Sequence, residues 1–238
     1  VAAGARHHQS AALGPGSGLA GGLMVVAVLF AVGAGLVAEA EGQARLTGAG
    51  VLRKALALRK DVQDYVVDVT MHVELENSKI PDKTATVYFK RPDKLHVESH
   101  QGIFFAPKEA FMMSRLTEGL EKEARILLVG SKRTPGGLVH SLKIIPNDPE
   151  APGRLLVWVN GRNWTVRRME VWDGQRLVLT INWLHRLVDG KFWVPAKVTC
   201  ELGKGLRQHG TPLRGRASFS FANYKINRGL SDEIFEED

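Results

Sequence analysis

The sequence predicts a mainly β protein of the α+β class, a curved antiparallel sheet of about ten strands covered by a few helices. Three observations carry that reading. Tyr65, Val67, Val69, Met71, Val73 and Leu75 alternate with Asp68, Thr70, His72, Glu74 and Glu76, a period of two that a half-buried strand satisfies. Asn160-Gly161, Asp173-Gly174 and Asp189-Gly190 each sit between β-prone runs, where a hairpin turn belongs. Residues 46–60 alone show clear helical spacing of apolar side chains ahead of these strands, with Val51, Leu52, Ala55, Leu56 and Leu58 recurring among Arg53, Lys54, Arg59 and Lys60.

The elements follow in order. Of the 238 residues, 44% are apolar and 24% charged, the balance of an ordinary globular chain. Residues 11–38 carry no charge, residues 24–37 are the most apolar part, and Ala38-Glu39-Ala40 offers a small-x-small cleavage site. Residues 1–40 therefore read as a secretory signal peptide cut at Ala40/Glu41. The alternative is an uncleaved anchor, since the uncharged run exceeds the roughly 18–20 residues that span a bilayer. Residues 41–238 then form a single domain.

Within that domain, residues 46–60 form an amphipathic helix and the strand of residues 65–76 follows. A loop at residues 77–83, broken by Pro81, leads to a second strand with Ala85, Val87 and Phe89 on its apolar side. Arg91-Pro92-Asp93 turns the chain into a third strand, with Leu95 and Val97 on the same side. Residues 101–150 are less regular: a short helix at residues 116–124, then strands at 125–129 and 138–145 separated by Pro135-Gly136-Gly137. Five strands close the chain, at residues 155–159, 164–172, 176–187, 192–202 and 216–225. Leu179, Ile181 and Trp183 fall on one face of the third of these, and Ala217, Phe219 and Phe221 on one face of the last.

No grouping suited to catalysis survives a search of the chain. Gly16-Ser17-Gly18-Leu19-Ala20-Gly21 matches a dinucleotide fingerprint, but no strand precedes it. His96 and His100, four apart on a strand, are about 13 Å apart, too far to share a metal. Cys200 is the single cysteine, so the chain has no internal disulfide and no thiolate metal site. These features predict a protein that is not an enzyme and uses no metal and no cofactor. The net charge of +7 favours an anionic partner. Export argues against nucleic acid as that partner.

Two stretches carry a family resemblance. Lys90-Arg91-Pro92-Asp93-Lys94-Leu95 with Val97-Glu98-Ser99, following a long strand, and the closing run from Asn223-Tyr224-Lys225 through Asn227-Arg228-Gly229 to Phe235 resemble the outer-membrane lipoprotein carrier, or lipoprotein-sorting, family (LolA-like). The resemblance implies an open β half-barrel in the periplasm whose apolar hollow takes acyl chains of lipoproteins or lipids. Each buried methylene would contribute about 0.8 kcal/mol. Hollow-lining candidates are Tyr65, Val67, Val69, Met71, Val87, Phe89, Leu95, Val97, Leu179, Ile181 and Trp183, with Leu52 and Leu56 on the lid helix. Arg91, at the family's Lys-Arg-Pro position, would be the latch that bonds backbone carbonyls of the lid.

The implied partners are acylated lipoproteins, an inner-membrane releasing transporter and an outer-membrane acceptor, met as a monomer. Where the family has an Asp-Gly turn and an aromatic strand, this chain has Gly102-Ile103-Phe104-Phe105-Ala106-Pro107-Lys108-Glu109. A lipid- or lipoprotein-sensing regulatory module on the same fold, or an inner-membrane-anchored form facing the periplasm, stands as the alternative.

Overall fold

The computed structural model describes residues 46–75, 78–100, 123–148, 153–203, 207–208, 211–212 and 215–236. The candidate signal segment, the expected helix at 116–124 up to residue 122, and the departure at 102–109 lie outside the described residues.

Helix α1, Gly48–Ala57, begins where Thr47 caps it: the Thr47 hydroxyl accepts from the Gly50 amide at 3.0 Å. Ten strands then build one antiparallel sheet. They are β1 (Asp64–Leu75), β2 (Ser78–Lys90), β3 (Lys94–Ser99), β4 (Ala124–Thr134), β5 (Gly137–Pro146), β6 (Arg154–Asn160), β7 (Val166–Asp173), β8 (Arg176–Val188), β9 (Phe192–Leu202) and, after a small ribbon of β10 (Arg207–Gln208) and β11 (Thr211–Pro212), β12 (Gly215–Ile226). A single 3-10 turn, Asp232–Phe235, follows.

The order across the sheet is β3-β2-β1-β12-β9-β8-β7-β6-β5-β4, so β3 and β4 are its edges and the sheet stays open. Hairpins make every neighbour pair but two. The chain's last long strand inserts between β1 and β9, joining an N-terminal three-stranded ribbon to the six-stranded meander. The expected class, mainly β with a curved open antiparallel sheet, is the observed one.

Three local expectations change. Pro81 lies inside β2, not in a loop. The register slips between Met71 and Val73, which face Lys83 and Ile80, so the proline occupies a bulge where the ladder asks no N–H of it. The strand expected at 125–129 continues to Thr134, because a second bulge between Leu128 and Gly130 shifts the alternation that had marked its end. Trp164, expected at the start of a strand, sits in the β6–β7 turn with φ +59°.

The core is one face of this sheet. Leu142, Ile144, Leu155, Val157, Met169, Ile181 and Val198 form its centre, and Val51, Leu52 and Ala55 of α1 pack on them over the β4–β5 end. Gly48 makes that seat possible: a β-carbon there would lie 2.6 Å from the Ile126 carbonyl oxygen. On the N-terminal side, Val67, Val69 and Val87 form a second cluster, bordered by Phe219 and Phe221, which also border the first.

Candidate functional site

The register brings the candidate side chains onto that face. Tyr65 pairs with Phe89 and Phe89 with Leu95; Val67 pairs with Val87 and Val87 with Val97; Val69 and Met71 pair with Ala85 and Lys83 on one flank and with Phe221 and Phe219 on the other. The row crosses β12 and β9, through Phe219 to Val198, to reach Trp183, while Ala217 and Cys200 lead to Ile181. Leu179 is next along β8 toward the rim. Val67, Val69, Met71, Val87, Phe89, Ile181 and Trp183 are buried, whereas Tyr65, Leu95, Val97 and Leu179 are half-buried. The result is a continuous apolar lining ten strands wide, of which α1 covers the β4–β5 end. Leu52 is buried in the helix seat and Leu56 is half-buried beside it.

At the N-terminal end the lining becomes aromatic. Tyr65 stacks on Phe89 with ring centroids 5.1 Å apart, and Tyr224 lies 6.2 Å from Tyr65. The Tyr224 hydroxyl donates to the Pro195 carbonyl at 3.1 Å. Burial pushes both tyrosine hydroxyls well above their ordinary pKa, so they are neutral hydrogen-bonding groups. Burial also pushes His185 down to about 4, with Arg59 adding to the effect.

Arg91 stands in the β2–β3 turn and reaches under the exit of α1. Its Nε donates to the Val62 carbonyl at 2.6 Å and a terminal nitrogen donates to the Arg59 carbonyl at 2.7 Å, while its own amide donates to the Gln63 carbonyl at 2.8 Å. A guanidinium suits this work because its several donors are fixed in a planar fork.

Sequence reasoning missed the second hand on the same turn. The Asn227 side chain accepts from the Gln63 amide at 2.7 Å and donates to the Asp61 carbonyl at 2.7 Å. Asp64, 5% exposed, accepts from the consecutive amides of Arg228 and Gly229 at 2.8 and 3.0 Å. Asn227 and Gly229 hold φ of +54° and +74°, so Asn-Arg-Gly after a strand was the available signal.

The two lysines flanking Arg91-Pro92 hold the chain's end. Lys90 Nζ donates to the Leu230 carbonyl and the Asp232 carboxylate, both at 2.7 Å, and Lys94 meets Asp232 at 3.0 Å. Lys90, then Lys94, keep the Asp232 carboxyl below its usual range. The two stretches that carry the resemblance, far apart in sequence, are therefore in direct contact.

The remaining titratable candidates do not converge. His96 packs beside Tyr88 at 5.8 Å, whereas His100 shares a 2.9 Å hydrogen bond with Thr86. Among the described residues, no three of His, Cys, Asp and Glu come together as a metal would require, and no helix is long and apolar enough to cross a membrane.

No protein-family description and no curated protein sequence matches this chain. Solved structures do. An outer membrane lipoprotein-sorting protein domain from Vibrio parahaemolyticus superposes with a TM-score of 0.57 at 13% identity, over 78% of this chain and 94% of that one. A LolA superfamily protein from Nitrosomonas europaea gives 0.54 at 13% identity, over 81% and 99%. A DUF1329 family protein from Desulfovibrio piger gives 0.57 at 17% identity, over 79% and 96%. In fold, this chain is thus similar to lipoprotein-sorting domains and to the LolA superfamily.

Proposed function

We propose that this protein is a non-enzymatic periplasmic carrier that binds acyl chains of lipoproteins in the hollow of the half-barrel and shuttles them from the inner to the outer membrane. The observation that supports this reading best is the continuous apolar lining from Leu95 and Val97 on β3 to Ile181 and Trp183 on β8, with a helix packed over the β4–β5 end beyond it. An acyl chain needs such a surface, since each methylene moved from water contributes about 0.8 kcal/mol. Binding by area has no directional groups to satisfy, so release requires the lining to close on itself. Arg91 suits the latch in that cycle because its two side-chain bonds hold the backbone where α1 ends. The likeness in fold to a lipoprotein-sorting domain and to a LolA superfamily protein supports the same reading.

The test is release. Purified protein is added to spheroplasts, and the soluble fraction is searched by mass spectrometry for acylated lipoproteins bound to it. Lipoproteins leaving the membrane on this protein would establish a carrier fed by an inner-membrane transporter. A folded, monodisperse protein that releases none would leave the sensing or partner-binding module on the same fold as the better account.

A further inference from the structure

Arg91 acts where α1 ends, on the β2–β3 side; a different set of side chains holds the flank of the helix against the other half of the sheet. Lys54, in the last turn of α1, places its ammonium 4.3 Å from the ring centroid of Trp164. Trp164 in turn stacks on His140 at 5.4 Å with the rings 10° from parallel. His140, 3% exposed, shares a 2.7 Å hydrogen bond between Nδ1 and the Ser131 hydroxyl on the edge strand. The stack therefore runs through α1, the β6–β7 turn, β5 and β4.

Trp164 holds this place at a cost. Its φ of +59° is a conformation that a bulky side chain adopts only where its surroundings fix it. The turn supplies that constraint: the Asn160 side chain accepts from the Arg162 amide at 2.8 Å, the Trp164 amide donates to the Asn160 carbonyl at 2.9 Å, and Asn163 accepts from the Thr165 hydroxyl at 2.9 Å. Burial, and then Lys54, lower the pKa of His140, which leaves a neutral ring for the indole to stack on.

We propose that Trp164 is a positioning residue for α1: through Lys54 it clasps the helix to the β4–β7 half of the sheet, and this clasp opens separately from Arg91 when the helix lifts off the lining. Gly48 seats the start of the helix on the β4 backbone and makes it the pivot, so freeing residues 59–63 from Arg91 alone leaves the helix still held at Lys54. What the lifting serves rests on the acyl-binding reading; the clasp itself does not.

Lys54 is exposed, so its substitution spares the core. Backbone amide exchange of the full chain is followed by mass spectrometry in wild type, Lys54→Met and Lys54→Arg. An exposed cation–π contact corresponds to about a two- to fivefold change in an opening equilibrium. Lys54→Met is expected to raise α1 exchange by that factor, Lys54→Arg to keep it at the wild-type level, and β8 and β9 to stay unchanged in both. Unchanged α1 exchange in Lys54→Met, or an equal rise across the sheet, would overturn the clasp. Association with an anthroyloxy-labelled palmitate is measured alongside. Faster association with Lys54→Met is expected; a wild-type rate despite raised exchange would overturn the role in lifting. If no protein, wild type included, takes up the probe while α1 exchange rises as expected, the clasp stands and the acyl-binding reading fails.

Discussion

Gly48 and Ile126 touch backbone to backbone: a β-carbon on Gly48 would lie 2.6 Å from the Ile126 carbonyl oxygen and 2.8 Å from backbone atoms of Leu127 and Leu128. At an exposed helical position, Gly→Ala gains about 1 kcal/mol from helix propensity. Here the added methyl meets main chain that cannot rotate away, and overpacking of this kind costs about 1–3 kcal/mol. Gly48→Ala is therefore expected to lower the urea midpoint, the opposite sign to the propensity argument. A raised midpoint would show that α1 does not sit this close to β4.

Asp64 and Asp68 are both carboxylates on β1, and their substitutions should differ. Asp64→Ala strands the amides of Arg228 and Gly229 in a part-buried place, with an expected loss of about 2–4 kcal/mol. Asp68, which accepts from the Thr86 hydroxyl and the Asn223 side chain nearer the surface, should cost under about 1 kcal/mol when replaced by Ala. Urea denaturation of the two variants side by side decides this.

Arg91→Leu removes two hydrogen bonds from the turn at residues 59–63, while the Asn227 bonds to the same turn remain. The expected result is a folded protein, less stable by about 1–3 kcal/mol, that takes up lipoprotein in the spheroplast assay but retains it when offered to outer membranes. Transfer as complete as wild type would remove Arg91 from the latch role.

Acid should weaken the fold through His140 and His185, whose pKa burial lowers. Burial lowers the pKa of His140 and takes His185 to about 4, whereas the unfolded chain protonates both near 6.5. Below pH 6.5 the unfolded state therefore binds more protons, and stability falls on acidification, for His185 down to about pH 4 with a slope of up to about 1.4 kcal/mol per pH unit, while His140 acts in the same direction. Exposed His72 works the other way: hydrogen bonds to Asp82, then Glu74, raise its pKa, so its contribution is present at low pH and lost as pH rises. Thermal unfolding from pH 4 to 8 should show the net decline on acidification, with a shallower slope in His185→Asn.

Cys200 reports unfolding. Burial pushes its thiol up to about 11, and it packs against the main core cluster. Ellman's reagent is expected to react slowly with the native protein at pH 8 and fast in 6 M urea. Rapid native labelling would mean that β9 and β12 part readily around it.

Much of this arrangement was legible because alternation is a local property. The runs from Tyr65 to Met71 and from Leu179 to Trp183 each declare one oily face, and one buried face leaves little freedom in register. What local reading could not supply were features set by distant chain. Nothing around Asn227 says that its amide will clasp residues 61 and 63, more than 160 positions earlier. Pro81 and Trp164 misled for the same reason: a bulge and a left-handed turn residue break the period that identifies strands. Arg91 was found by resemblance, and its carbonyl partners became visible only with the turn at residues 59–63 in place.

The position of β12 between β1 and β9 has a consequence for how the chain is made. A polypeptide emerging from its N-terminus can zip β1–β3, and later β4–β9, from nearest neighbours alone. The two ribbons cannot join until the last long strand arrives, about nine-tenths of the way along, so the seam closes through the most sequence-distant strand pairing among the described residues. Folding is thus expected to wait for the whole chain. A message truncated after β9 should yield two sticky half-sheets with bare edges, prone to aggregate.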